Sequence, residues 1–114
     1  IRTLRDLLDH PRCGFSWEGF AMEEVILGLR AAADECFFWA THAGAELDLL
    51  IVRGRERLGF EFKRSSSPGL TPAMRVALAD LSLSRLVVVH SGPRSYRLGG
   101  RAEAVPLKDL PRIL

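Results

Sequence analysis

With 114 residues, 47% of them hydrophobic and 26% charged, the chain has the makeup of one globular domain with a modest core. No apolar run approaches a membrane span and no signal peptide is visible. Cys13 and Cys36 form no C-x-x-C or His pattern and read as reduced thiols rather than a zinc site, which makes the cytoplasm the expected location. The net charge of +2 permits nucleic-acid contact without demanding it.

In chain order, Thr3 can cap a short helix that turns Leu4, Leu7 and Leu8 inward. His10 to Phe15 reads as a loop, and Ser16 caps a longer helix over about Trp17 to Ala33. At about 100° per residue, Met22, Val25, Ile26 and Leu29 share one face with Glu18. Glu23 turns to solvent, and Glu24 points in an intermediate direction. Cys36 to Thr41 is a short aromatic strand. Two strands follow, Gly44 to Arg53 and Glu56 to Lys63, joined by Gly54-Arg55, a glycine-first loop that suits a type II′ hairpin. Arg64 to Gly69 is a polar loop. Thr71-Pro72 opens a helix to about Ser82, with Met74, Ala77, Leu78 and Leu81 as its apolar stripe. Arg85 to His90 is a β-branched run suited to a buried strand. Short strands near Tyr96 to Leu98 and Glu103 to Val105 precede a terminal helix from Pro106-Leu107. A hairpin, a crossover helix and an apolar strand imply an α/β fold: a mixed β-sheet flanked by helices on both faces. There is no repeat and no internal domain boundary, so residues 1–114 read as a single domain. The chain opens on Ile1 rather than Met, as a piece of something longer would.

The hairpin carries the chemistry. If Gly54 and Arg55 form the loop, Arg53 faces Glu56, Asp48 faces Glu61 and Glu46 faces Lys63. Period-2 alternation puts all four on one face, and Leu47, Leu49, Ile51, Leu58, Phe60 and Phe62 on the other. Facing side chains have Cβ atoms about 5 Å apart, and like charges there repel. A divalent cation would convert the repulsion of Asp48 and Glu61 into coordination, since Mg²⁺ is typically held by one or two carboxylates plus phosphates. Fourteen of the sixteen basic residues are Arg, yet Lys63 stands at this place. Lys is a point charge with a tunable pKa, which Arg is not. On the long helix, Glu18 is the acid expected to reach the pair, with Glu24 as the alternative. The bland reading of Glu18 is an acid favoured in a first helical turn.

Glu18 on a helix, Asp48 on a strand and Glu61-Phe62-Lys63 on the next resemble the signature of the PD-(D/E)XK, or restriction-endonuclease-like, superfamily. More closely, the chain is similar to the uncharacterised C-terminal domain of bacterial and archaeal AAA-superfamily ATPases. The stretches that match are Gly14 to Phe20, Thr41 to Leu49, Glu61 to Ser65, and Val105-Pro106-Leu107 with Leu110. The likeness spans about residues 8 to 114. Leu47 stands where the superfamily pattern has Pro. The resemblance implies a restriction-endonuclease-like sheet, a Mg²⁺ or Mn²⁺ site, DNA as substrate or ligand, and an ATPase domain in the same chain. It implies Asp48, Glu61 and the Phe62 carbonyl as metal ligands, with Glu18 binding directly or through water. Lys63 would position the attacking water, Glu46 would hold Lys63, and Thr41, His42, Arg64 and Ser65 would line the mouth and touch phosphates.

Blander readings stand beside these. Glu-x-Lys alone is common, and a strand-end salt-bridge lattice of Glu46–Lys63 and Asp48–Arg64 would look the same in sequence. His42 is a phosphate contact or a bystander. His10 and His90 are structural or surface residues. Ser65-Ser66-Ser67 is a turn before Pro68-Gly69. Trp17, Phe20, Phe37, Phe38 and Trp39 are core rather than a base-stacking platform. Arg53, Arg55 and Arg57 at the hairpin tip either grip DNA or are solvated. Three functions follow: a metal-dependent nuclease-like domain, a non-catalytic module of an ATPase, or a structural domain with vestigial acids.

Overall fold

The computed structural model describes residues 2–3, 16–65 and 67–112. The short helix expected around Leu4, Leu7 and Leu8, His10 and Cys13 lie outside the described residues. The strands are β1 (Arg2–Thr3), β2 (Cys36–Ala40), β3 (Glu46–Arg53), β4 (Glu56–Lys63), β5 (Arg85–His90), β6 (Tyr96–Gly99) and β7 (Ala102–Pro106). The helices are α1 (Trp17–Leu29) and α2 (Pro72–Asp80). The strands form one mixed sheet in the order β1-β2-β3-β4-β5-β7-β6. Strands β1 to β4 run antiparallel in sequence; β5 lies parallel to β4, β7 parallel to β5, and β6 antiparallel to β7.

Among the described residues, each face of the sheet carries one helix. Met22 and Val25 of α1 pack with Leu49, Ile51, Phe60, Phe62, Val87 and Val89. Met74 and Ala77 of α2 pack with Leu47, Leu50, Leu86 and Val88. The Ser16 hydroxyl caps α1 by accepting the Gly19 N–H, and Thr71 caps α2 by accepting that of Met74, with Pro72 at the first helical position. The hairpin register is the expected one, with Arg53 opposite Glu56 and Leu49 opposite Phe60, and Gly54 takes the positive φ of the turn.

Four expectations need correction. Helix α1 stops at Leu29 rather than Ala33. Arg30 adopts the left-handed conformation and its N–H bonds back to Ile26 and Leu27, a helix stop normally signalled by glycine. Phe20 is not core: it is 53% exposed. The terminal helix is a 3₁₀ turn over Leu107–Arg112 that contains Pro111, which cannot donate to an α-helical ladder. Finally, Leu47 belongs to the α2 face, not to the face of Leu49. Phe37 pairs with Leu50 but Trp39 pairs with Leu47, so β3 holds one residue more than β2 across this interval. That extra residue is a β-bulge; it reverses the in-out alternation, and Asp48 lies inside it. No helix among the described residues is long and apolar enough to cross a membrane.

Candidate active site at the carboxyl end of β4

The bulge and the hairpin together fix Asp48 and Glu61. Both are buried, 4% and 5% exposed, which requires that their oxygens find donors. The donors are each other's strands. Phe62 N–H donates to Asp48 Oδ2 at 2.9 Å, and Asp48 N–H donates to Glu61 Oε1 at 3.0 Å. Leu49–Phe60 is the last backbone-paired position recorded between the two strands toward this end, and beyond it the carboxylates act as the strand-to-strand link. The expected proximity of the two acids is therefore present. Main-chain donors facing the two carboxylates offset part of their mutual repulsion.

Lys63 Nζ lies 3.9 Å from Glu61 Oε2, with the lysine side chain 39% exposed and the glutamate 6%. The carboxylate recorded beside Lys63 is thus Glu61; Glu46 lines the same small pocket of about 150 Å³, with Gly44, Thr71 and Ala73. Thr71 and Ala73 belong to the start of α2, so the positive end of a helix dipole closes one side of an acidic pocket. Larger hollows of about 550 Å³ lie between α2 and β6 and between α1 and the C-terminal 3₁₀ turn, but neither contains a carboxylate pair.

The other expected residues are placed less closely. Glu18 is half-buried in the first turn of α1 and Glu24 is exposed. Among the described residues, no three His, Cys, Asp or Glu side chains are gathered so as to hold a metal ion. Glu18 therefore does not complete a three-acid set with Asp48 and Glu61. The Thr41 hydroxyl is used locally, accepting the Ala45 N–H at 3.1 Å in the turn that contains His42. His42, Arg64 and Ser65 are exposed. The Ser65 carbonyl accepts the Ser91 N–H at 3.2 Å, tying the loop after β4 to the end of β5.

One residue of this end was not foreseen as a neighbour. His90 pairs with Lys63 across β4 and β5 and is fully buried. Its Nδ1 accepts the Gly92 N–H at 3.0 Å, which puts the ring proton on Nε2, and Nε2 has no hydrogen-bond partner among the described residues. Its ring centroid lies 5.6 Å from that of Tyr96, whose hydroxyl donates to the Pro68 carbonyl. Burial holds the imidazole below the usual histidine range, against a smaller opposing effect of the Arg94 backbone. A histidine ending a β-branched run carries no hint of its partner; only the parallel pairing puts it beside Lys63.

Residues 13–110 match the family described as Domain of unknown function (DUF4143). The chain belongs to this family. It is also similar to two mycobacterial proteins, "Uncharacterized protein Rv2008c" of Mycobacterium tuberculosis and "Uncharacterized protein Mb2031c" of Mycobacterium bovis. Each is 40% identical over 101 residues, which cover 89% of this chain and 22% of the relative. The DUF4143 chain therefore spans about a fifth of the length of these curated relatives. No solved structure matches it.

Proposed function

We propose that this DUF4143 chain is a divalent-metal-dependent, nuclease-like domain of the PD-(D/E)XK type, acting on or binding DNA phosphodiesters and carried in the cytoplasm on an AAA-type ATPase. The observation that carries the reading is the interlock of Asp48 and Glu61, two buried carboxylates held side by side with Lys63 at a pocket mouth. Oxygen-only donors of this kind suit Mg²⁺ or Mn²⁺, which keep waters and take substrate phosphates as further ligands. Asp48 Oδ1, Glu61 Oε2 and the Phe62 carbonyl would hold the ion, and Glu18 would act through water. Bound there, the ion would lower the pKa of its water and stabilise an in-line displacement at phosphorus.

The chain's own residues do the remaining work. Lys63 orients the attacking water and offsets phosphate charge. Glu46, on the pocket wall, balances the lysine when Glu61 turns to the metal. Thr41, His42, Arg64 and Ser65 stand at the rim, where phosphate contacts position a nucleic acid without reading its sequence. The length of the mycobacterial relatives leaves room for an ATPase domain.

A second reading, a non-catalytic module binding nucleic acid or protein, is favoured by a specific observation. Both carboxylates already accept main-chain N–H groups, and no third acid joins them among the described residues. The test is incubation of the chain with linear and branched DNA in Mg²⁺ or Mn²⁺, beside Asp48→Asn and Lys63→Gln. The first reading predicts cleavage lost in both variants. No cleavage with either metal on any substrate selects the second reading, and cleavage unchanged in Lys63→Gln contradicts the site.

A further inference from the structure

The opposite end of the sheet carries a different site. Arg85 opens β5, five residues before His90, so it lies about 16 Å along the strand from Lys63's partner. Around it is a pocket of about 200 Å³ lined by Ser84, Arg85, Arg97, Arg101, Ala102 and Glu103. Three arginines and one glutamate line it. Glu103 is taken by Arg85, with which it forms an ion pair. Neither Arg97 nor Arg101 enters an ion pair recorded among the described residues.

These two guanidiniums are nevertheless held in place. Arg97 donates to the Gly100 carbonyl, and Arg101 donates to the Leu83 carbonyl at 3.2 Å. A guanidinium has five N–H donors in a rigid plane, so one bond to a carbonyl orients it and leaves the others for a ligand. Arg57 adjoins the pocket's Ser84: its side chain donates to the Leu81 carbonyl at 3.0 Å and its backbone N–H to Ser84 Oγ at 3.2 Å. Arg57, Arg97 and Arg101 are all exposed. Capping of the carbonyls that follow α2 explains one bond from Arg57 and one from Arg101. Arg85 is drawn in by Glu103 and Arg97 is the cross-strand neighbour of Glu103 on β6, so one carboxylate gathers more guanidinium groups than it can neutralise.

We infer that the pocket between the starts of β5 and β7 and strand β6 is a binding site for a phosphate group, supplied by the phosphodiester backbone of a nucleic acid. Planar forks that pair two oxygens at once match phosphate geometry. The site depends on none of Asp48, Glu61 or Lys63 and goes beyond the reading of the acidic pocket. It gives the chain a metal-independent grip on a polyanion at the end away from that pocket.

The test is fluorescence anisotropy with a short labelled duplex in EDTA, and calorimetric titration with inorganic phosphate, on the 114-residue chain. The variants are Arg97→Gln with Arg101→Gln, and Glu103→Gln, with EDTA keeping any metal-dependent binding at the acidic pocket out of the readout. Duplex binding is expected, with a log K against log salt slope that falls by about two in the double Arg variant. Glu103→Gln, which removes the pocket's carboxylate and keeps an acceptor for Arg85, should bind tighter, so the outcome does not rest on the double variant alone. Phosphate binding without duplex binding would keep the phosphate site and assign it to a free phosphate compound. Duplex binding indifferent to both Arg97→Gln/Arg101→Gln and Glu103→Gln, or no binding of either probe, would overturn the inference.

Discussion

The two ends of strands β4 and β5 handle charge in opposite ways. At the carboxyl end, Asp48 and Glu61 are almost wholly buried and one oxygen of each accepts a main-chain N–H group. At the amino end, Arg97 and Arg101 stay in solvent and are only steered, each by one main-chain carbonyl. A buried charge requires donors or it destabilises the fold; an exposed one needs only orientation. Loss of an acid should therefore be felt as instability as well as lost chemistry, and loss of an arginine mainly as lost binding.

The largest effect expected is at the acidic end. Asp48→Ala strips the Phe62 N–H of its acceptor in a buried place and should lower stability by about 1.5–3 kcal/mol in metal-free denaturant melts. A variant as stable as the parent would show that the acids repel more than they link. Next is Gly59, midway along β4, where an added Cβ would meet Leu83 Cδ1 at 2.6 Å and Leu86 Cδ1 at 3.2 Å. Gly59→Ala should cost about 1–3 kcal/mol by overpacking, with loss of Tm and little change in DNA binding per folded molecule.

His90 should give a smaller, pH-dependent effect. Its pKa is lowered in the fold, so the unfolded chain binds the proton more readily. Its contribution is full above the ordinary histidine pKa of about 6.5 and is lost as pH falls from there toward the lowered folded value. His90→Gln should flatten the decline of Tm on acidification below about pH 6.5; an unchanged profile would show that the ring is not buried neutral. The smallest effect on stability is expected for Lys63→Gln, under about 1 kcal/mol, because the lysine is well exposed and its pair is screened. Its effect on cleavage should be complete. That pairing separates the chemistry of this end from its architecture.

Much of this was legible in the chain. Alternation and a glycine-first loop fix the hairpin register, which carries Asp48 toward Glu61. Thr71-Pro72 marks the start of α2, and the β-branched run of β5 predicts a buried strand. Some features were decided by contacts distant in sequence, others by local conformation that the residue type does not announce. The bulge at Asp48 arises from pairing with β2, so Leu47 changes face without any local signal. Arg30 ends α1 in a conformation that glycine would have announced. The arginine pocket joins β5, β6 and β7, whose adjacency no spacing reveals, and His90 meets Lys63 only through a parallel ladder.

The most direct test of the central claim is calorimetric titration of the chain with Mn²⁺ and Mg²⁺, beside Asp48→Asn and Glu61→Gln. Both substitutions keep a side-chain acceptor for the main-chain N–H while removing the charge. The interlocked pair as a metal site predicts binding by the parent chain and loss of that binding in both variants. Binding undiminished in the variants, or no binding by a folded parent chain even with DNA present, would contradict it.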